Sequence, residues 1–332
     1  MSDVYRIYGA ELSPFSVKIR SYFRYKQIPH EWIVRNAETM ADYQKFAKIP
    51  IIPLVVTPED QGLQDSTPIM ETIDAVFPMP AAQPDDPTTS FLSLLLEEFG
   101  DEWGNKWMFH LRWAREEDSL SAAGRIATSM APRGDENARI AVRGKVIERM
   151  KGRVHFVGSN EVTGPQIEKS FLDGLAQLDA HLATRPYLFG RRPCWADFGL
   201  WGQIYNAWTD PTGAAWIESM APNVLDWIHR MLNPTDEGDF ESWPSLESTL
   251  MPFLVDQVGA VFCPWTMANE QAMASGGEEF SVELKGETFT QIPQKYHAKS
   301  LQVIRQKYRA VTDKSGLDSV LAAAGCLEAL QG

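Results

Sequence analysis

The first 78 residues alternate short strand-like runs with amphipathic helical stretches. The stretch 14–26 carries its apolar residues Phe15, Ile19, Tyr22 and Phe23 on one helical face. A second helix is predicted from Ser66 to Phe77, where serine is a favourable cap and Pro68 fits the first turn. The predicted strands lie at residues 5–8, 32–34, 54–56 and 63–64. The pattern therefore predicts a small unit of mixed strands and helices.

Residues 78–87 contain four prolines in ten positions, a composition typical of a linker between domains. Beyond the linker, apolar residues recur at helical spacing, and strand-like runs nearly vanish until about residue 279. The later predicted elements are helices at 88–117, 166–183, 301–311 and 317–330, and a hairpin that pairs 280–284 with 287–290. We therefore predict an α/β domain over 1–80, an all-helical domain over 88–232 and a C-terminal extension over 233–332.

Charge and composition exclude several classes of protein. The chain of 332 residues has 31 Lys and Arg against 44 Asp and Glu, a net charge of −13. Such an acidic chain is a poor ligand for nucleic acid or for an anionic membrane surface, since both favour cationic proteins. No run of about 18 apolar residues predicts a membrane span. The opening residues Met1 to Arg6 lack the features of a signal peptide.

The three cysteines, Cys194, Cys263 and Cys326, are far apart and odd in number. That pattern argues against a disulfide framework and against a cysteine-ligated metal, and the six histidines form no metal-binding motif. We expect a cytoplasmic protein that uses no metal.

The first candidate for chemistry is Ser13, which precedes Pro14 at the start of the first predicted helix. Serine at the cap and proline at the first helical position favour a helix start there. Unpaired N–H groups and the helix dipole make such a start favourable for an anion, for example a thiolate. The alternative interpretation is a helix cap with no further role.

The second candidate region spans residues 51–69. Pro53 enters an apolar strand, where a cis peptide bond would turn the backbone of Ile52 toward a ligand. Asp65 and Ser66 then lie at a helix start, where a carboxylate, a hydroxyl and free N–H groups could hold an amino-acid-like end of a ligand. An ordinary capped helix after a hairpin is the alternative.

Together these stretches resemble the glutathione S-transferase family. The resemblance rests on the Ser-Pro-Phe box at 13–15, the strand entry at 52–54, the segment 63–69 and the stretch 187–198, which is similar to a signature of the helical domain. It covers roughly residues 4–232 and implies a thioredoxin-like βαβαββα domain followed by an all-helical domain. It further implies a homodimer and a role in detoxification.

The resemblance also implies roles for single residues. Ser13 matches the serine that hydrogen-bonds the glutathione thiolate in tau- and zeta-like members. Tyr8 is our second candidate for that role. Ile52, before a presumed cis-Pro53, matches the residue whose backbone pairs with the cysteinyl part. Asp65 and Ser66 match the pair that holds the γ-glutamyl group. Lys48-Ile49-Pro50 is a competing match, but the hairpin length favours Pro53.

The function implied is a glutathione transferase, which uses glutathione as co-substrate and attacks a small electrophile. The alternative is a non-catalytic binding or scaffold protein of the same fold. An open cavity beside Ser13, once the extension is placed, would favour the enzyme. We expect the extension to dock on the helical domain, with a tail folded on itself as the alternative. A docked extension should narrow or cover one mouth of the pocket beside the first long helix of the bundle.

Some interpretations stay open at this stage. Phe99, Trp103, Trp107 and Trp113 lie on the first long helix, which lines the electrophile pocket in the family, but they could equally fill the core of the bundle. Asp101 and Arg112 could reach the site or a dimer partner, and we favour solvated charges instead.

Overall fold

The computed structural model describes residues 4–332. The prediction that the chain begins without a signal peptide rests on Met1 to Arg6, of which Met1 to Asp3 lie outside the described residues. In the first domain, strands and helices alternate in the predicted order βαβαββα. The elements are β1 (Tyr5–Gly9), α1 (Pro14–Tyr25), β2 (His30–Val34), α2 (Met40–Phe46), β3 (Leu54–Val56), β4 (Gly62–Gln64) and α3 (Ser66–Val76).

The four strands form one mixed sheet in the order β2-β1-β3-β4. Strand β1 pairs in parallel with β2 and antiparallel with β3, and β3 pairs antiparallel with β4. The parallel pair needs a crossover connection, which α1 supplies. This is the thioredoxin-like arrangement that the sequence predicts, and it brings the start of α1 beside the strand entry at Pro53.

The second part is helical. Its helices are α4 (Pro87–Phe99), α5 (Asn105–Ala114), α6 (Glu116–Met130), α7 (Glu136–Lys151), α8 (Gly164–Leu182), α9 (Trp195–Trp208), α10 (Pro211–Met220) and α11 (Pro222–Arg230). A π-helical segment, Gly100–Gly104, joins α4 to α5. The helix predicted over 88–117 therefore contains a π-turn and ends at Ala114. Helix α9 lies in the middle of the bundle and contacts α1, α4 and α5.

A glycine allows the two parts to approach closely. A Cβ atom on Gly202 of α9 would lie 2.8 Å from the carbonyl oxygen of Pro14, at the first turn of α1. Real Cβ atoms do not approach a backbone oxygen so closely, so a side chain there would force α1 away from α9. Glycine at this position thus fixes the start of α1 against the helical domain.

The extension continues the fold with α12 (Trp243–Phe253), α13 (Cys263–Ser275), β5 (Phe280–Leu284), β6 (Glu287–Gln291), α14 (Lys295–Ala310), α15 (Ser315–Ala323) and α16 (Leu327–Gln331). The hairpin of β5 and β6 forms as predicted. The single helix predicted over 317–330 is wrong, because Gly325, with φ of 73°, breaks it into α15 and α16.

The extension packs on the helical domain. Helix α12 contacts α8, while α14 and α15 contact α4. Leu246, Leu250 and Phe253 of α12 are fully buried, and they belong to the same apolar core as α4, α8 and α9.

One continuous helical stretch of the extension, Trp243–Ser275, includes the π-helical segment Leu254–Phe262. It is long and apolar enough to cross a membrane by length and composition alone, which corrects the expectation that no stretch would qualify. Half of the apolar window is buried inside the protein, and the core helix of a soluble protein meets the same criterion.

Candidate functional site

Ser13 caps α1 as the sequence predicts. Its Oγ accepts hydrogen bonds from the backbone N–H of Ser16 at 3.3 Å and from the Ser16 hydroxyl at 2.9 Å. Both bonds use lone pairs of Ser13, so its own O–H remains available to donate to a ligand. The side chain is partly exposed at the floor of a groove. Ser13 can therefore present a hydrogen-bond donor at a helix N-terminus.

Buried charges hold the loop that carries Ser13. Arg112 donates to the carbonyl oxygen of Leu12 at 2.9 Å and to the carboxylate of Asp210 at 2.6 Å. Arg20 pairs with Glu11 and stacks on the ring of Trp32 at 4.3 Å. The expectation that Arg112 is solvated is wrong, because its guanidinium is buried and donates to acceptors in two segments, the loop at Leu12 and the stretch 206–210. Arg112 thus fixes the backbone next to Ser13.

The groove beside Ser13 has a volume of about 1400 Å³. Its walls come from the loops after β1 and β2, from α6 and from the end of α9, and Met150 of α7 closes one end. Two cations, Arg35 and Arg125, line it together with the carboxylate of Glu11. Residues 235–332 contribute nothing to the described walls. The expectation that the extension narrows this pocket is therefore wrong, since the extension docks on another face of the bundle.

The peptide bond between Ile52 and Pro53 is cis, and the bond before Pro50 is not. Ile52 lines the same groove as Ser13. Within residues 4–332, no backbone hydrogen bond engages the N–H or the carbonyl of Ile52. Its backbone is therefore available to pair with an extended ligand. A second cis bond, Met79–Pro80, lies in the linker and was not predicted.

Asp65 and Ser66 lie at the N-terminus of α3, as predicted. The hydroxyl of Ser66 is buried, donates to Oδ2 of Asp101 at 3.1 Å and accepts from Nζ of Lys18 at 3.3 Å. Lys18 also contacts a carboxylate oxygen of Glu97 at 2.5 Å and of Asp101 at 2.7 Å. The side chain of Lys18 is 1% exposed. Three helices, α1, α3 and α4 with its π-helical continuation, therefore meet at one buried cation, and Asp101 is not the solvated charge we expected.

The carboxylate of Asp65 faces a different cavity from Ser13. This second cavity has a volume of about 100 Å³ and lies between α3, α4 and α14. The hydroxyl of Tyr296 donates to both carboxylate oxygens of Asp65, at 3.1 and 3.2 Å. The residues predicted to bind one ligand thus divide between two openings, with Ser13 and Ile52 in the groove and Asp65 in the second cavity.

Burial shifts the charge states near the second cavity. It raises the pKa of Asp101 to about 7, although Lys18 opposes the shift, and it raises the pKa of Glu102 to about 8. Burial also lowers the pKa of His297, whose Nδ1 contacts the carboxyl of Glu102. Burial lowers the pKa of Lys18 less than Asp101 and Glu97 raise it, so the amine stays charged. The wall therefore contains carboxyl groups that give up their protons only near or above neutral pH, with a fixed cation beneath them.

Other candidates lie in the core. Tyr8 is buried against Tyr43 on the face of the sheet that packs on α2, and it does not line the groove. Phe99, Trp103, Trp107 and Trp113 are buried in the bundle, so the core alternative applies to them.

Asp197 accepts from the backbone N–H of Cys194 at 2.9 Å, as expected for the cap of α9.

The three cysteines do not line the groove beside Ser13. Cys194, Cys263 and Cys326 are free and buried. In the part of the chain that the structure describes, no group of three or more His, Cys, Asp or Glu residues has an arrangement that could hold a metal ion.

Sequence reasoning missed Lys18, Arg125 and Tyr296. Lys18 had a usable signal, because it directly precedes Ile19 on the predicted helix and so borders its apolar face. A charged side chain at the border of a buried face needs a partner. Tyr296 offered no local signal, since it lies 231 residues from Asp65 in sequence.

Two segments of the chain match models of known protein families. Residues 12–76 match the model of the glutathione S-transferase N-terminal domain, and residues 145–230 match that of the C-terminal domain. No curated protein matches the sequence.

Among solved structures, the β-etherase LigF of Sphingobium sp. strain SYK-6 is 16% identical over 68% of this chain and 94% of its own, with a TM-score of 0.50. A glutathione S-transferase of Methylobacterium radiotolerans, solved with glutathione sulfonate, is 17% identical over 74% and 94%, with a TM-score of 0.42. At such identity a structural likeness speaks for the fold alone. The two domain models match in the order that the fold requires, and they support a glutathione S-transferase-like family for this chain. The C-terminal extension lies outside both matches.

Proposed function

We propose that this protein is a glutathione transferase, which binds glutathione with its sulfur at Ser13 and its γ-glutamyl end toward Asp65 and Ser66. The observation that carries the proposal is the free O–H of Ser13, presented at a helix N-terminus to an open groove. A donor in that position stabilises a thiolate over a thiol.

The energetics are of the right size. A cysteine-like thiol has an ordinary pKa of about 8.5, and a shift of two pKa units corresponds to about 2.7 kcal/mol. One charge-assisted hydrogen bond from Ser13 supplies about 1.5–3 kcal/mol, and the N-terminus of α1 adds about 0.3–1 kcal/mol. The thiolate then acts as the nucleophile toward an electrophilic carbon. The thiol proton leaves to solvent and the sulfur forms the new bond to that carbon. In a substitution the displaced group leaves with the electron pair of the broken bond, and in an addition the π electrons move to the neighbouring carbon, which takes up a proton from solvent.

The groove provides room for the electrophile. Leu120, Gly124 and Ile126 of α6 and Met150 of α7 give it an apolar wall opposite the loop of Ser13. The guanidinium groups of Arg35 and Arg125 add positive charge, which favours the anionic thiolate and the carboxylate at the glycine end of glutathione. These residues support a single groove that holds both the reacting sulfur and a small apolar partner.

A non-catalytic scaffold of the same fold is the second candidate. It would be favoured if the extension closed the cavity beside Ser13, but the groove remains open with all of residues 235–332 in place. The openness supports the transferase. Homodimer formation, a role in detoxification and a cytoplasmic location stay predictions from the sequence, and light scattering would test the first of these.

The experiment is calorimetric titration with glutathione, followed by turnover measurements with a panel of small electrophiles. We expect saturable binding of glutathione and conjugation of at least one electrophile. Binding of glutathione without turnover of any electrophile would favour the non-catalytic protein, and the absence of glutathione binding would reject the transferase.

A further inference from the structure

Helix α14 of the extension reaches the site through Tyr296, in its first turn. The phenol hydroxyl shares its proton between the two oxygens of Asp65, at 3.1 and 3.2 Å. Asp65 makes no capping hydrogen bond to α3, and its backbone has a φ of 77°. Within residues 4–332, Tyr296 is the side chain that hydrogen-bonds this carboxylate. The orientation of the Asp65 carboxylate therefore depends on Tyr296.

Tyr296 is itself held in place by its helix. Ser300 contacts the carboxylate of Glu98 on α4, and Lys307 lies 2.7 Å from a carboxylate oxygen of Glu71 on α3. Leu301 and Ile304 of α14 are buried in the core. Contacts to two different domains thus fix α14, so its first turn has a defined position above Asp65.

The cavity beside this pair has the chemistry to receive a cation with several N–H donors. The carboxylate of Asp65 lines it together with the carboxyl groups of Glu98 and Asp101, whose pKa values burial raises, and with Lys299 and Lys307 at its edge. Oδ1 of Asp101 is buried and has no hydrogen-bond partner within residues 4–332. One carboxylate offers about four lone-pair sites, so the single bond from Tyr296 leaves Asp65 able to accept more. An ammonium group supplies three donors and a positive charge, which suits such a wall.

We propose that Tyr296 is a positioning residue for glutathione, which holds the carboxylate of Asp65 toward the cavity so that it receives the ammonium group of the γ-glutamyl end. The inference rests on the proposed function and adds the extension to the ligand site. It explains why a segment remote from the groove carries a side chain that touches Asp65.

The test compares two ligands by calorimetry on the full chain: glutathione, and an analogue in which hydrogen replaces the γ-glutamyl amino group. In Tyr296→Phe we expect glutathione to bind roughly 5- to 10-fold more weakly, while the affinity for the analogue stays unchanged. In an Asp65→Asn background, Tyr296→Phe should have no further effect on either ligand.

Tyr308→Phe is the matched control. Tyr308 lies on the same helix, and its hydroxyl donates to Asp318 at 2.7 Å, away from the cavity. We expect its affinity for both ligands to equal that of the wild type.

Several results would overturn the inference. An equal loss for both ligands in Tyr296→Phe would show that the helix merely supports the fold. Tighter binding of glutathione would mean that Tyr296 competes for Asp65, and unchanged binding would remove it from the site. If the wild-type chain binds neither ligand, the proposed function fails first and this inference fails with it.

Discussion

Nζ of Lys18 lies 2.7 Å from Oδ2 of Asp101, and this contact joins the helix that begins at Ser13 to the helical domain. The lysine side chain is 1% exposed and the aspartate 11% exposed, so water screens the pair poorly. The same ammonium group touches Ser66. The charge thus connects the helix of Ser13, the proposed thiol-binding residue, with the start of α3, where we propose that the γ-glutamyl end binds.

We predict that Lys18→Met destabilises the protein by about 3–5 kcal/mol, since removing one partner of a buried ion pair leaves carboxylates with no compensating charge. Urea denaturation measures this loss. Lys45→Met is the control, because the pair of Lys45 with Asp42 is exposed at the surface and should add little. An equal effect of the two substitutions would contradict a structural role for the buried contact.

The Lys18→Met loss should also depend on pH. Burial raises the pKa of Asp101 and Lys18 opposes that shift, so without the lysine Asp101 can bind a proton more readily. We therefore expect a smaller loss at pH 5 than at pH 8, measured by denaturation at both values. A loss that is independent of pH would point to packing of the lysine stem as its cause.

Glu102 provides a second prediction on pH. Burial raises the pKa of its carboxyl to about 8, above the ordinary value of 4.5. The folded protein thus retains a proton that the unfolded chain has lost, so this residue's contribution to stability falls as the pH rises from about 4.5 to about 8. Glu102→Gln should remove that fall and stabilise the protein above pH 8, on the order of a few kcal/mol.

The control for Glu102→Gln is Glu117→Gln, because Glu117 is exposed at the start of α6. Thermal unfolding of both variants from pH 4 to pH 9 makes the comparison. If Glu102→Gln follows the wild-type pH profile, folding does not raise the pKa of Glu102, and the prediction is wrong.

Ser13→Ala should raise the pKa of bound glutathione by about 1–2 units, because the thiolate loses a charge-assisted hydrogen bond. Conjugation at neutral pH should slow by a similar factor of about 10 to 100. Stability should fall by about 1 kcal/mol through the lost helix cap, so rate and stability must be measured separately. Ultraviolet difference spectra of the thiolate report the pKa directly.

Tyr8→Phe serves as the control for Ser13→Ala, since Tyr8 packs against Tyr43 away from the groove. We expect its thiol pKa to match the wild type. A raised thiol pKa in Tyr8→Phe, with Ser13→Ala unaffected, would transfer the role to the tyrosine.

Gly124 offers a way to fill the groove. It lies on the wall of α6, and a Cβ there would meet no atom within 4 Å. Gly124→Phe should therefore fold and should raise the KM for the electrophile more than it changes the affinity for glutathione. Gly144→Phe is matched, since Gly144 is also helical and open but lies outside the groove walls. Equal kinetics of the two variants would place the electrophile elsewhere.

The sequence predicted the elements whose signals are local. The stripe of Phe15, Ile19 and Tyr22 defined α1, the turn at 57–62 defined the hairpin, and its length chose Pro53 over Pro50 as the cis residue. Each of these depends on residues within about fifteen positions of one another. Local spacing constrains them directly, whatever the rest of the chain does.

Contacts between distant segments left no such signal. Periodicity shows that Trp103 and Trp107 are buried, but it cannot say whether they face a pocket or a core. The charged stretch that includes Asp101 has the sequence pattern of a solvated helix face. It is buried because Lys18 of the first domain pairs with Asp101. The face on which the extension docks is likewise set by three-dimensional shape.

The contact between Asp65 and Tyr296 also bears on the order in which parts of the site form during synthesis of the chain. A ribosome adds about 5–20 residues per second, so the 231 residues that separate the two take on the order of 10–50 s to synthesise. During that interval the first domain can already have folded, with Ser13 and Ile52 in place. The second cavity, beside Asp65, is incomplete until α14 emerges and docks, because residues of α14 form one of its walls. A nascent chain would therefore form the proposed thiol-binding end before the proposed amino-binding end, and the whole site would exist only after the last helices dock.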